Sequence, residues 1–169
     1  MFRGVERPPR GVLVTLCENV GVIVFEEFEA KTGGRFDTLD VTEDVEALIE
    51  RAGVTSGSAL VFSPHTTCVI MLEAPGPEMQ AALERAMETL APNDAYYAHD
   101  DLTVRTENLV EDEPANAPGH IFHVLAGSTS ECVPVRDGSL ALGDGQRILF
   151  VELDGSRKRR YCVQILGSS

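Results

Sequence analysis

A chain of 169 residues, 43% hydrophobic and 24% charged, fits a single hydrophobic core of the kind that serves about 100 to 200 residues, which speaks against a second domain. Its 27 acidic residues against 14 basic ones give a net charge of −13. That field repels a phosphate backbone over a Debye length of about 8 Å, so no nucleic acid is expected as a partner. No apolar run reaches the roughly 20 residues of a membrane helix, and Met1 to Arg10 lacks the apolar stretch of a secretion signal. The expected setting is cytoplasmic, with no membrane.

In chain order, Gly11 to Cys17 and Val20 to Phe25 are rich in β-branched residues and predict two strands, with a third through Arg35 to Val41. Thr42 is then expected to cap a helix with Val45, Leu48 and Ile49 on one face and Gly53 at its end. Ala59 to Phe62 and Thr67 to Leu72 read as strands around Ser63-Pro64-His65, where proline removes a ladder donor and leaves His65 near a strand end. Pro77 suits a first helical turn, and Met79, Ala82, Leu83, Ala86, Met87 and Leu90 recur at helical spacing until Pro92. Asn93 to Pro118 is polar, acidic and broken by prolines, a long ordered loop of the sort that carries function.

A short helix is expected at His120 to Leu125, followed by strands through Cys132 to Val135, Gln146 to Leu153 and Arg160 to Leu166. Turns at Asp137-Gly138 and Asp154-Gly155 make that last third a predicted β-meander. The sum is an α+β fold, mainly β: an antiparallel β-sandwich with flanking helices. Cys17, Cys68, Cys132 and Cys162 form no C-x-x-C pair and are expected to be reduced thiols.

Three of the four histidines, His65, His99 and His120, stand at element edges or in the long loop. Neutral imidazole is a common ligand of Zn²⁺ and related ions, and three convergent rings leave a coordination position open for water or substrate. Each ring taken singly is more often a surface or hydrogen-bonded structural residue than a ligand. Strand alternation would place Glu73 on the face of His65, and helical spacing would stack Asn116 on His120, with His123 treated as structural. Arg157, Lys158, Arg159 and Arg160 concentrate positive charge on an acidic chain, and Arg157 or Arg159 could clamp a phosphate. Gly127-Ser128-Thr129-Ser130 is a hydroxyl-rich turn able to offer backbone N–H groups to an anion. Walker, G-x-G-x-x-G, G-x-S-x-G and H-E-x-x-H motifs are absent from the sequence.

The ordered set His65-Thr66-Thr67, Tyr97-x-His99-Asp100, Asn116-Ala117-x-x-His120, Leu142-Gly143-x-x-Gln146 and Glu152-x-Asp154-Gly155-x-Arg157-x-Arg159 resembles the YjbQ-like family, also called secondary thiamine-phosphate synthases. The likeness spans about Arg35 to Gly167. It implies a compact, jelly-roll-like β-sandwich, a homotrimer with the histidine motifs in a pocket near subunit boundaries, and weak thiamine-phosphate synthase activity. Carried onto this sequence, His65, His99, His120 and Asn116 become the expected catalytic residues and the same three histidines the metal ligands. Thr66, Arg157 and Arg159 become the phosphate-binding group, with Glu152 as a further polar candidate.

The implied cofactor is a divalent metal, Zn²⁺ if imidazoles hold it or Mg²⁺ if it arrives with a pyrophosphate substrate, and the implied partner is a phosphorylated small molecule. A metal-dependent phosphohydrolase and a non-catalytic metal- or metabolite-binding protein are the competing readings. Gly145 stands where the family commonly has tryptophan, and Ser156 where its turn has proline. These departures are expected to alter a pocket wall and the stiffness of a turn.

Overall fold

The computed structural model describes residues 21–109 and 114–169, with the backbone alone of residues 12–17. Gly11, Val20, the Cys17 thiol and residues 110–113 of the expected long loop lie outside the described residues. The elements are β1 (Val12–Cys17), β2 (Gly21–Lys31), β3 (Thr38–Asp40), α1 (Thr42–Ala52), β4 (Ser56–Phe62), β5 (Cys68–Glu73), α2 (Pro77–Leu90), α3 (Ala117–Ala126), β6 (Ser130–Arg136), β7 (Ser139–Leu140), β8 (Arg147–Glu152) and β9 (Lys158–Ser168).

Every pairing is antiparallel, in two sheets ordered β1-β2-β9-β4-β6-β7 and β3-β8-β5. The fold is α+β and mainly β, as expected, but the C-terminal third is not a meander. Only β6 and β7 form a local hairpin, on Asp137 and Gly138 at positive φ. β8 crosses to the smaller sheet, where it lies between β3 and β5, and β9 returns to lie between β2 and β4. The reason is burial: Ile148 to Leu153 is buried at every position, so β8 needs a covered face on both sides.

Val24, Ala30, Val61, Val133, Tyr161, Val163 and Ile165 of the larger sheet share one core with Ile70, Ile148 and Phe150 of the smaller and with Val45, Leu48 and Ile49 of α1. Val41 rather than Thr42 is the N-cap residue of α1. Thr42 turns inward, its Oγ1 accepting the Ile148 N–H at 2.8 Å, while Asp40 accepts the Thr42 N–H at 3.0 Å. Gly53 ends the helix at φ 65°, a left-handed position that a β carbon disfavours.

A smaller cluster of Phe36, Val69, Met87, Phe122, Leu149, Val151 and Leu153 lies on the other face of the small sheet and seats α2 and α3. Cys68, Cys132 and Cys162 are free thiols. Among the described residues no helix is long and apolar enough to cross a membrane.

Candidate active site

The long polar segment before α3 is anchored by one carboxylate. Asp100 Oδ1 accepts the backbone N–H of Asn116 at 3.1 Å and of Ala117 at 3.0 Å, and so caps α3 from outside the helix. The same oxygen lies 2.8 Å from His99 Nδ1. Arg105 Nη1 donates to His99 Nε2 at 3.2 Å, so the ring hydrogen sits on Nδ1 and is donated to Asp100. His120, one turn into α3, packs against His99 with ring centroids 4.8 Å apart and the rings tilted by 46°. α3 approaches the end of β8 at Gly119, where a β carbon would stand 2.9 Å from the Leu153 carbonyl oxygen.

Asp100→Ala is expected to cost about 1 to 2 kcal/mol, the usual loss on removing a helix cap. The loss should appear in thermal melts and as faster amide exchange in α3 and residues 99–105. Unchanged exchange there would contradict it.

A second cluster surrounds Glu152, whose side chain is 0% exposed. Its Oε2 and Oε1 accept Nε and Nη2 of Arg159 at 2.6 and 2.7 Å, a bidentate pair, and Oε2 also accepts the Thr32 hydroxyl at 3.1 Å. Arg159 Nη2 reaches Thr67 Oγ1 at 3.1 Å. Cys68 Sγ lies 3.7 Å from Glu152, and burial together with that carboxylate pushes its thiol up to about 12. Asp154 joins the two clusters: its Oδ2 accepts Asn116 Nδ2 at 3.0 Å, pairs with Arg157 Nη2 at 2.7 Å and stands 3.9 Å from Arg159 Nη2.

The predicted site residues therefore separate. His99, His120, Asn116, Arg157 and Arg159 lie on or beside this network. His65 lines a different hollow of about 590 Å³ with Glu29, Ala30, Lys31, Lys158, Arg159 and Arg160, and its Nε2 accepts the Arg160 N–H at 3.1 Å. Thr66 is exposed. The bidentate fork of Arg159 is occupied by Glu152, which leaves Nη1 as its one nitrogen without a hydrogen bond among the described residues. Asn116 does not stack on His120, because it is the N-cap residue and its side chain turns to Asp154. Its Oδ1 is buried and accepts no hydrogen bond among the described residues.

Glu73 does not share a face with His65, since the strand begins only at Cys68; it lines an apolar hollow of about 290 Å³ beside α2. His123 is structural, with Nδ1 3.0 Å from the Cys68 carbonyl oxygen. The Ser128 hydroxyl donates to Glu131 at 3.0 Å behind the C-terminus of α3, where an anion finds no positive dipole end. Ser156 ties its turn by donating to the Thr32 carbonyl at 2.9 Å, and Gly145 sits at φ 76° with open space where a side chain would point.

Within one chain the residues do not fit the expected tri-histidine metal centre. Among the described residues no group of three or more His, Cys, Asp or Glu side chains is arranged to hold a metal ion. Both nitrogens of His99 and one of His65 are already engaged by protein groups. Arg105 was missed in the sequence because nothing marks an arginine six residues after a histidine as its partner. Asp154 was quoted in a motif, and its central position became visible only once Asn116 stood opposite it.

Burial, with Arg159 nearby, holds His65 below the ordinary imidazole value, and burial with neighbouring His99 does the same to His120. A depressed imidazole binds its proton more weakly in the folded state. Its stabilising contribution is complete above the unfolded value of about 6.5 and is lost as pH falls through the folded values. Denaturant unfolding is expected to show lower stability at pH 5.5 than at pH 7.5, with a smaller difference in the His65→Asn, His120→Asn double variant. Equal pH dependence in the two proteins would refute the assignment.

The chain is 34% identical over 142 residues to a UPF0047 protein of Methanothermobacter thermautotrophicus, covering 84% of this chain and 91% of that one. It is 36% identical over 140 residues to one of Archaeoglobus fulgidus, covering 83% and 99%. Among solved structures, a hypothetical protein from Aeropyrum pernix K1 superposes with a TM-score of 0.72 at 32% identity over 85% of this chain and 98% of that one. A YbjQ-like protein of unknown function from Sulfolobus solfataricus P2 gives the same TM-score at 28% identity, over 86% and 98%. The family described as UPF0047 protein YjbQ-like matches residues 26–168, and the chain belongs to that family.

Proposed function

We propose that the chain is a thiamine-phosphate synthase-like transferase that joins a pyrimidine diphosphate to a thiazole phosphate. The observation that carries this reading is the Asp154 carboxylate. It holds Asn116, on the histidine side, by a hydrogen bond, and Arg157 and Arg159, on the cationic side, by ion pairs. Such a reaction needs a departing pyrophosphate to be stabilised and a thiazole nitrogen to be held in line. Arg157 and the unengaged Nη1 of Arg159 supply positive charge, Asn116 holds Asp154 in place between them and α3, and the exposed Thr66 hydroxyl and neutral His120 orient the phosphorylated ligand.

The site is completed in this reading between subunits of a homotrimer. Exposed Leu102, Val104, Val124 and Leu125, at 54%, 61%, 76% and 60%, support it, since they flank the histidine-bearing loop and helix. A divalent ion, Zn²⁺ on imidazoles or Mg²⁺ with pyrophosphate, then requires a donor from outside the single chain. The jelly-roll-like wrapping of the two sheets and a cytoplasmic location belong to the same reading.

The test is turnover by purified protein, offered the two thiamine precursors and, separately, simple phosphate esters. Thiamine phosphate from the precursors is the expected product. Phosphate release from the esters alone would favour a phosphohydrolase, and turnover of neither would leave a metal- or metabolite-binding protein and end the proposal.

A further inference from the structure

The sequence contains two lysines, Lys31 and Lys158, and the fold sets them directly opposite each other at one end of the β2–β9 pairing. Like charges directly opposite on an antiparallel pair are destabilising. With 27 carboxylates in the chain, complementary partners were abundant, yet neither lysine forms an ion pair among the described residues. The neighbouring pair on the same face shows the ordinary arrangement, Glu29 opposite Arg160, with Arg160 also 3.7 Å from Glu27.

Protection of an open strand edge does not account for the lysines. Among the described residues β1 pairs with β2 as far as Glu26 and β4 with β9 only from Cys162, so Lys158 lies past the end of β4. A Glu–Lys pair would protect that edge equally well and without repulsion. Both lysines line the 590 Å³ hollow with Arg160 and the carboxylate Glu29; Arg159 lines it too, but its guanidinium is already paired with Glu152. The volume falls in the range of small-molecule sites, about 300 to 1,000 Å³. His65 adds a donor: because its Nε2 accepts the Arg160 N–H, the hydrogen of the neutral ring is on Nδ1.

We infer that Lys31 and Lys158, with Arg160 and His65 at the wall, form an anion site for the diphosphate group of a small molecule, which bridges the two ammonium groups. The inference rests on the phosphorylated-ligand reading but not on the synthase reaction. A diphosphate suits the site because two opposed ammonium groups meet two linked phosphoryl groups, while the net charge of −13 opposes any long polyanion.

Inorganic pyrophosphate is the probe. Calorimetry at physiological salt should show binding to the parent chain, with the dissociation constant at least tenfold higher in Lys31→Gln, Lys158→Gln. Without ligand that variant should melt at or above the parent temperature, because the repulsion is gone. Pyrophosphate should also protect both lysines, the chain's only side-chain amines of this kind, from acylation mapped by mass spectrometry. No binding to the parent, or equal affinity in the variant, overturns the site. Binding that is weakened as expected, beside absent synthase turnover, would sink the reaction and leave the site standing.

Discussion

The Glu152→Ala variant is expected to lose about 3 to 5 kcal/mol of stability, read as a fall of roughly 10 °C in Tm. Glu152 is fully buried and the Arg159 side chain is 10% exposed, so removing the carboxylate leaves a guanidinium in a low-dielectric site with only Asp154, 3.9 Å from Nη2, as counter-charge. Thr32 loses its bond to Oε2 and the Asp154 N–H its bond to Oε1 at 3.0 Å. The cost is that of breaking the pair. Replacing both partners by apolar residues of similar size, Glu152→Met with Arg159→Met, is expected to recover most of the loss. Thermal melts of the parent, the single variant and the double variant decide it, and a double variant no more stable than the single would show that the pair itself holds the fold. The single variant should also disturb the frame on which Asp154 holds Asn116 and Arg157.

Gly57→Ala is expected to cost about 3 kcal/mol, the upper end of what forced backbone shifts in a packed sheet require. A β carbon at Gly57 would stand 2.0 Å from the Leu166 carbonyl oxygen and 2.6 Å from Gly167 Cα, and one at Gly167 would meet the Ser56 oxygen at 2.3 Å. Those obstacles are backbone, so no rotamer change relieves them. Gly57 and Gly167 are register partners in β4 and β9, and the missing side chains let the central strands close. Chemical denaturation should show the loss, and a variant within about 0.5 kcal/mol of the parent would mean that the strands separate freely there.

Most elements were legible because their signals are local. The spacing of Val45, Leu48 and Ile49 with Gly53 behind them gave α1, Pro77 and Pro92 bracketed α2, and Asp137-Gly138 gave the β6–β7 turn. The short helix expected at His120 to Leu125 extends three residues further back, to Ala117, because Asp100 caps it from far along the chain. β2 runs to Lys31, well past Phe25, since Val163 to Lys158 of β9 pairs with that stretch. The meander failed for the complementary reason: proximity in sequence favours pairing neighbours, but β8, buried from Ile148 to Glu152, is covered on both faces in the other sheet. Within the site, the motifs pointed to His99, His120, Asn116 and the arginines, while the partners that fix their roles, Asp100, Arg105 and Asp154, depended on contacts that spacing does not encode.

The amino-acid sequence by itself determined the α+β class, the presence of the three helices and the membership of residues in recognisable motifs, because each follows from composition or from neighbours within one turn. The tertiary structure alone decided which strands share a sheet, that His65 stands apart from the His99–His120 pair, that Glu152 engages the fork of Arg159, and that the two lysines face each other. Register and charge apposition are set by strands distant in the chain, and the free energy that selects them comes from burial of the whole core.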